Sequence, residues 1–239
     1  MDVLEHYKNL LKNSNHVFEN MIESGGVESL TTSHNYLIDY DKFKISISER
    51  PESAVLDWAV KEYQFALFAL ICGQYRHAFG GLRLFFELML SAVKFSANEI
   101  DYRLWAKDEK DINWNGLINS DNGIFSKNFI NAFNPSFSDS AKQYKAIAEK
   151  VYRECSEYVH GNAATHLFLP IDINFKNEIF DLWHEKANTM KLAIVFAFSA
   201  RYLNFLNKEN LECLEPVIMD VIGHLPCIQM IFSKTSEGY

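Results

Sequence analysis

The 239-residue chain has few of the residues that interrupt regular structure, with 10 glycines and 5 prolines. Together with 48% apolar and 14% aromatic residues, that scarcity excludes a disordered or fibrous chain and leaves a packed globular one. Cysteine is sparse too. Cys72, Cys155, Cys213 and Cys227 contain no C-x-x-C pair and sit mostly among apolar residues, so neither a zinc ribbon nor a disulfide framework is signalled. Positive charge is also short: 23 Lys and Arg against 31 Asp and Glu give a net charge of -8. A uniformly basic surface that coats nucleic acid is thereby disfavoured, although a local basic cleft is still allowed.

Long apolar runs are missing as well. The longest, Phe65 to Cys72 and Leu192 to Ala200, fall short of the roughly 18 residues of a membrane span and read as buried helix. The start, Met1-Asp2-Val3-Leu4-Glu5-His6, has neither the basic residues nor the apolar run of a secretion signal, so a cytoplasmic setting without membrane association is expected. Several catalytic signatures are absent: G-x-x-x-x-G-K-[ST], G-x-S-x-G, and a G-x-G-x-x-G after a strand. His184-Glu185-Lys186-Ala187-Asn188 fails H-E-x-x-H at its last position.

What the sequence does contain is helical periodicity. Residues 2–23 carry Val3, Leu4, Tyr7, Leu10, Leu11, Val17, Phe18, Met21 and Ile22 at helical spacing, ending at Gly25-Gly26. From Thr31 to Arg50, alternation of Phe43, Ile45 and Ile47 with Lys44 and Ser46 predicts an extended segment or short strand. Four long helices follow: one from an N-capping Ser53 to Cys72, one from Tyr75 to about Phe95, one from about Ser140 to His160, and one from about Asn177 to Leu206. The break at Gly73 predicts an antiparallel hairpin, and Gly161-Asn162 a C-cap. Residues 101–140, rich in asparagine, read as a long insertion with one short helix near Ile124 to Phe133, and Leu167 to Phe175 as extended. Beyond Pro216 a short helix and a tail, Ser233 to Tyr239, are expected.

The fold class is therefore all-α, a four-helix up-and-down bundle in a single globular domain. Its expected divisions are an N-terminal helix and extended segment (1–52), the bundle (53–207) and a C-terminal helix and tail (208–239).

Two stretches carry polar residues where a bundle prefers apolar ones. On the second long helix, Arg83 and Glu87 are four apart and can pair, either as a solvated surface pair or as a brace. Near the end of the third, Tyr152, Ser156 and His160 follow an i, i+4, i+8 course, and Arg153 lies seven residues, about two turns, before His160. An imidazole at a helix C-terminus sits at the negative end of the dipole, which suits a general acid or a phosphate contact. The alternative is that His160 caps its helix by bonding a carbonyl. Arg83, about 12 Å from the hairpin turn, has the reach for Ser156 or Glu157. Cys155 reads as a packing residue.

At Tyr152, Ser156, His160 and Gly161 the chain resembles the HEPN-like helical proteins. Arg153 to His160 fits their signature of arginine, four to six residues, then histidine. Gly73-Gln74-Tyr75 with Ala78, and Leu82-Arg83 to Glu87, are similar to the preceding hairpin of prokaryotic members. The resemblance covers roughly residues 53–206. It implies a homodimer and a metal-independent endoribonuclease of prokaryotic antiviral defence or toxin systems, with RNA as substrate, no cofactor, and an antitoxin or other defence-system protein as partner. Arg153 and His160 would be catalytic. Tyr152, Ser156, Glu157, Arg83 and Asn162 would support them or contact RNA. Glu154, where catalytic members often carry a neutral or basic residue, and the acidic chain favour the other reading, a non-catalytic helical module that binds or scaffolds a protein or nucleotide partner. A further enzyme reading rests on Glu157-x-x-His160 and Asp181-x-x-His184, a spacing that can hold two metal ions with help from Glu62 or Glu87.

Overall fold

The computed structural model describes residues 2–236. Over these residues the chain is all-α, with twelve α-helices and no strand. Helix α1 spans Val3–Glu23, α2 Val27–Ser46, α3 Ser53–Ile71 and α4 Tyr75–Phe95. The short α5 (Glu99–Trp105), α6 (Trp114–Leu117) and α7 (Lys127–Phe133) precede α8 (Ser138–Val159) and α9 (Ala163–Phe168). Helices α10 (Asn177–Tyr202), α11 (Lys208–Ile222) and α12 (Pro226–Ser236) complete the order. No described helix is long and apolar enough to cross a membrane.

Four long helices, α3, α4, α8 and α10, build the centre. α4 packs against α3, α8 and α10, and α8 against α10. Their sequences explain the packing. On α8, Ala141, Tyr144, Ala148, Val151, Cys155 and Tyr158 recur at three- and four-residue intervals and are all buried. On α10 the residues from Ala193 to Tyr202 are buried without a break, as expected of a helix covered all round. Aromatic stacks tie the elements together: Tyr144 on Phe196 at 4.1 Å and Phe79 on Tyr158 at 3.9 Å. Trp183, fully buried, donates its indole N–H to the Ala78 carbonyl at 3.0 Å. One cluster of buried side chains runs from Met21 to Phe232, so both terminal regions share the core of the central helices.

The α3–α4 hairpin turns at Gly73. Its φ of +73° is left-handed, and a β-carbon there would stand 2.9 Å from Val17 of α1. Both the backbone conformation and the close approach of α1 therefore require glycine. Ser53 opens α3 but does not cap it. The N-cap is Glu52, without a side-chain capping bond, and the Ser53 hydroxyl reaches back to the Ser48 carbonyl at 3.5 Å.

The segment expected to be extended between Thr31 and Arg50 is helical almost throughout, as α2. Ser33, Tyr36, Tyr40 and Phe43 form its buried face at helical spacing, while Ile45 is exposed. The alternation from Phe43 to Ile47 is thus the end of a helical stripe. The insertion holds most of α5, and α6 as well as α7, and asparagines are the punctuation: Asn98, just ahead of it, accepts from the Asp101 amide, Asn113 from that of Asn115, and Asn119 from those of Asp121 and Asn122. α9 occupies 163–168, including the start of the expected Leu167–Phe175 extended piece. α11 begins at Lys208 and carries Pro216 inside it. α12 reaches Ser236, so the expected tail is helical from Ser233 to Ser236, and its last three residues lie outside those described.

A buried pair between α2 and α10 makes stability depend on pH. His184 Nδ1 lies 2.6 Å from the Ser33 hydroxyl, and Nε2 is buried without a hydrogen-bond partner among the described residues. Burial pulls the His184 pKa down to about 4. The unfolded chain, with an ordinary value near 6.5, takes up this proton first, so stability is complete above about pH 6.5 and lost as pH falls toward 4. The expected loss is about 3 kcal/mol. Urea unfolding of wild type and His184→Gln between pH 7.5 and 4.5 checks it: the variant's stability has the shallower pH dependence.

Candidate functional site at the end of α8

Helix α8 meets α4 along a polar seam. Arg83 donates from Nη2 to the Tyr152 hydroxyl at 2.5 Å and to Glu87 Oε1 at 3.1 Å, and the Tyr152 hydroxyl donates to the same carboxylate oxygen. The guanidinium lies over the Tyr152 ring, 4.8 Å from its centre. Trp114 of α6 covers that ring, stacked at 3.6 Å and nearly parallel. The Arg83–Glu87 pair is therefore a half-buried brace between two helices and not a solvated surface pair. Burial, followed by the Glu87 bond, raises the Tyr152 pKa. Among the described residues Arg83 makes no hydrogen bond or ion pair with Ser156 or Glu157; it bonds to Tyr152, one turn before Ser156 on α8, and to Glu87.

The other supporting residues are also engaged locally. Ser156 is buried and donates to the Tyr152 carbonyl at 2.8 Å. Glu157 accepts from the Asn162 side chain at 2.5 Å, and its carbonyl accepts from Thr165. Asn162 is the N-cap of α9. Tyr152, Ser156, Glu157 and Asn162 thus hold α8 in place and join it to α9. Burial pushes the Cys155 thiol up to about 12, which suits packing and not nucleophilic attack.

Arg153 and His160 are exposed on α8 and at its C-cap. The backbone N–H of His160 closes the helix on the Ser156 carbonyl at 3.1 Å, and Gly161 follows with φ +69°. The cap is made by the main chain, and neither the His160 imidazole nor the Arg153 guanidinium has a hydrogen bond or ion pair among the described residues. Neighbouring carboxylates bond elsewhere: Glu154 pairs with Lys186 at 2.8 Å and lies 3.9 Å from Lys150, and Glu157 accepts from Asn162. An opening of about 330 Å³ beside Glu154 and Glu157 is lined by Tyr158, Thr165, Phe168 and Lys186, and not by Arg153 or His160.

The sequence reading missed a second basic group at this end. Arg76 of α4 donates from Nη1 to the Tyr158 carbonyl, two residues before His160, at 2.5 Å. Its Nη2 lies 3.4 Å from both ring nitrogens of His166 on α9. A cleft of about 420 Å³ opens beside them, between the α3–α4 turn, α9 and the segment after it. Arg76 recurs with Arg83 and Lys94 at helical spacing along α4, but nothing local in the sequence signals that α9 folds His166 back onto it.

The carboxylate-x-x-histidine motifs do not come together. His184 is buried against Ser33, Asp181 accepts from Asn177, and among the described residues no group of three or more His, Cys, Asp and Glu side chains is placed to hold a metal ion. Comparison of the chain with protein-family models, with curated proteins and with solved structures gives no match.

Proposed function

We propose that this chain is a HEPN-like, metal-independent endoribonuclease acting as a homodimer, with α3, α4, α8 and α10 as its up-and-down bundle and Arg153 and His160 at its site. One observation supports this most: a guanidinium and an imidazole two turns apart on α8 stand exposed and, among the described residues, without a hydrogen-bond or ion-pair partner, while Glu154 pairs with Lys186 and Glu157 bonds to Asn162. An exposed guanidinium outside any ion pair suits an anionic substrate.

The chemistry follows from the two groups. His160 takes the proton of a ribose 2′-hydroxyl as its oxygen forms a bond to the adjacent phosphorus. The bond from phosphorus to the 5′-oxygen breaks, and that oxygen takes a proton from water. Arg153 stabilises the extra negative charge on the phosphoryl oxygens at the transition state. The products are a 2′,3′-cyclic phosphate and a 5′-hydroxyl.

A dimer supplies what one chain lacks. Phe65, Phe68, Leu84 and Val159 are 41–65% exposed, and Gly80 and Gly81 keep the helices beside them close. A second copy on this apolar face brings two Arg153–His160 pairs into one site and doubles its positive charge. Such an enzyme belongs to prokaryotic antiviral defence or a toxin system, is cytoplasmic, and is controlled by an antitoxin or other defence protein.

The second reading is a non-catalytic module that binds a protein or nucleotide. Favouring it are the net charge of -8 and the opening beside Glu154 and Glu157, which neither Arg153 nor His160 lines. An RNA oligonucleotide with a single cleaved linkage separates the readings. In EDTA, replacing the 2′-hydroxyl at that linkage by hydrogen is expected to stop cleavage. Continued cleavage of the deoxy substrate rules out the proposed attack, and an RNA pool left uncut by the wild type favours the binding module.

A further inference from the structure

Arg76 is a cation without a counter-ion. Among the described residues its guanidinium forms no ion pair; it is fixed by one neutral carbonyl, that of Tyr158, and by the His166 ring. The equal distances of 3.4 Å to Nδ1 and Nε2 mean that the guanidinium lies across the face of the imidazole, since an in-plane bond to one nitrogen would leave the other farther away. The in-plane positions of both ring nitrogens thus remain available to a ligand. His166 is also placed from behind: its Nε2 would be 3.6 Å from a β-carbon at Gly161, so the ring sits over the glycine that ends α8.

The cleft beside this pair is lined by Gln74, Tyr75, Arg76, His77 and His166, with Asp172 as its one carboxylate, exposed and without an ion pair among the described residues. Its floor includes the first turn of α4, a helix of 21 residues whose N-cap, Gln74, makes no side-chain capping bond. The first intrahelical bond there runs from the Ala78 amide to the Gln74 carbonyl, so the amides of residues 75–77 come before it. A fixed guanidinium, two imidazoles and a helix start on one cleft suit the several oxygens of a tetrahedral phosphate better than a planar carboxylate or a neutral ligand.

We infer that the Arg76–His166 cleft is a phosphate-binding subsite, next to the end of α8, for a phosphoryl group of RNA or of a free nucleotide. It deepens the nuclease reading by giving the substrate a second phosphate contact, placed by α4 and α9 while Arg153 and His160 act from α8. The site is assembled from three parts of the chain, and the Arg76–Tyr158 bond couples its occupancy to the position of the α8 terminus.

Calorimetric titration of the full chain with inorganic phosphate, uridine 3′-monophosphate and the uncleavable deoxy dinucleotide tests the inference. Saturable binding is expected, weakened at least tenfold in Arg76→Gln, where a charge-assisted bond is lost, and several-fold in His166→Ala. Arg76 also holds a structural carbonyl, so His166→Ala, at an exposed position, is the variant that separates binding from folding. Its unfolding midpoint should match that of wild type. Binding of the dinucleotide identifies the RNA backbone as the source, and binding of the two monophosphates alone identifies a free phosphate or nucleotide. The inference is overturned if none of the three binds, or if binding is the same in wild type, Arg76→Gln and His166→Ala. The readout is independent of cleavage: a chain that binds phosphate here and cuts no RNA keeps this subsite and loses the nuclease reading, and the reverse result does the opposite.

Discussion

His160→Ala is expected to lower the single-turnover rate of RNA cleavage by about 10²- to 10⁴-fold, the range for loss of a general acid or base, with the unfolding midpoint unchanged. Arg153→Ala costs about 10²- to 10³-fold, as expected for removing one electrostatic stabiliser of the transition state. The claim of unchanged stability follows from the geometry. Both side chains are exposed and make no described hydrogen bond, and the α8 cap is formed by the His160 backbone, which alanine retains. Because the two groups act in one step, the double variant is expected to be little slower than His160→Ala alone. A structural role would produce the opposite pattern, a lowered midpoint and additive losses. Tyr152→Phe is the informative contrast: it removes the hydroxyl between Arg83 and Glu87 and is expected to act on stability.

Glu52→Ala is expected to destabilise the protein by about 3 kcal/mol, lowering the unfolding temperature by about 10 °C. Glu52 is 1% exposed and its Oε1 accepts from Arg50 Nε and from the Tyr202 hydroxyl at 3.0 Å. Arg50 and the buried Arg201 both donate to the Ser96 carbonyl, at 3.1 and 3.2 Å. Two guanidiniums therefore converge on one carbonyl beside a single carboxylate. Burial already pulls Arg201 below the ordinary arginine range, and Arg50 adds repulsion. Removing the carboxylate leaves both cations without their buried anion. Calorimetric melting of Glu52→Ala and Glu52→Gln checks this, since the neutral amide keeps a hydrogen-bond acceptor and is expected to lose less. A midpoint within a degree or two of wild type for Glu52→Ala would mean that the network contributes nothing.

The long helices were legible because each carries its own burial pattern. α8 repeats its buried residues at three- and four-residue steps, α10 is apolar nearly all round from Leu192 to Ala200, and the α3–α4 hairpin is marked by the one residue type that tolerates its turn, Gly73. α2 was not, because Phe43, Ile45 and Ile47 imitate a strand over five residues while the helical stripe Ser33, Tyr36, Tyr40 and Phe43 includes only polar or amphipathic members until its end. Ile45, which completed the imitation, is a solvent-facing residue.

The candidate site divides in the same way. Arg153 and His160 share a helix, so their relation could be read from spacing alone. Arg83 and Glu87 share one too, but their third partner, Tyr152, is 65 residues from Glu87, and Trp114, which covers it, comes from the asparagine-punctuated insertion. The Arg76–His166 contact spans 90 residues and depends on the path of α9. Contacts of that range are fixed by the packing of whole elements, and no local pattern encodes them.

The most direct test of the central claim is to map the ends of products made from a mixed RNA pool in EDTA by wild type and by His160→Ala. The account predicts 2′,3′-cyclic phosphate and 5′-hydroxyl ends from wild type and almost no product from the variant. Equal cleavage by both proteins, or 5′-phosphate ends from wild type, would contradict it.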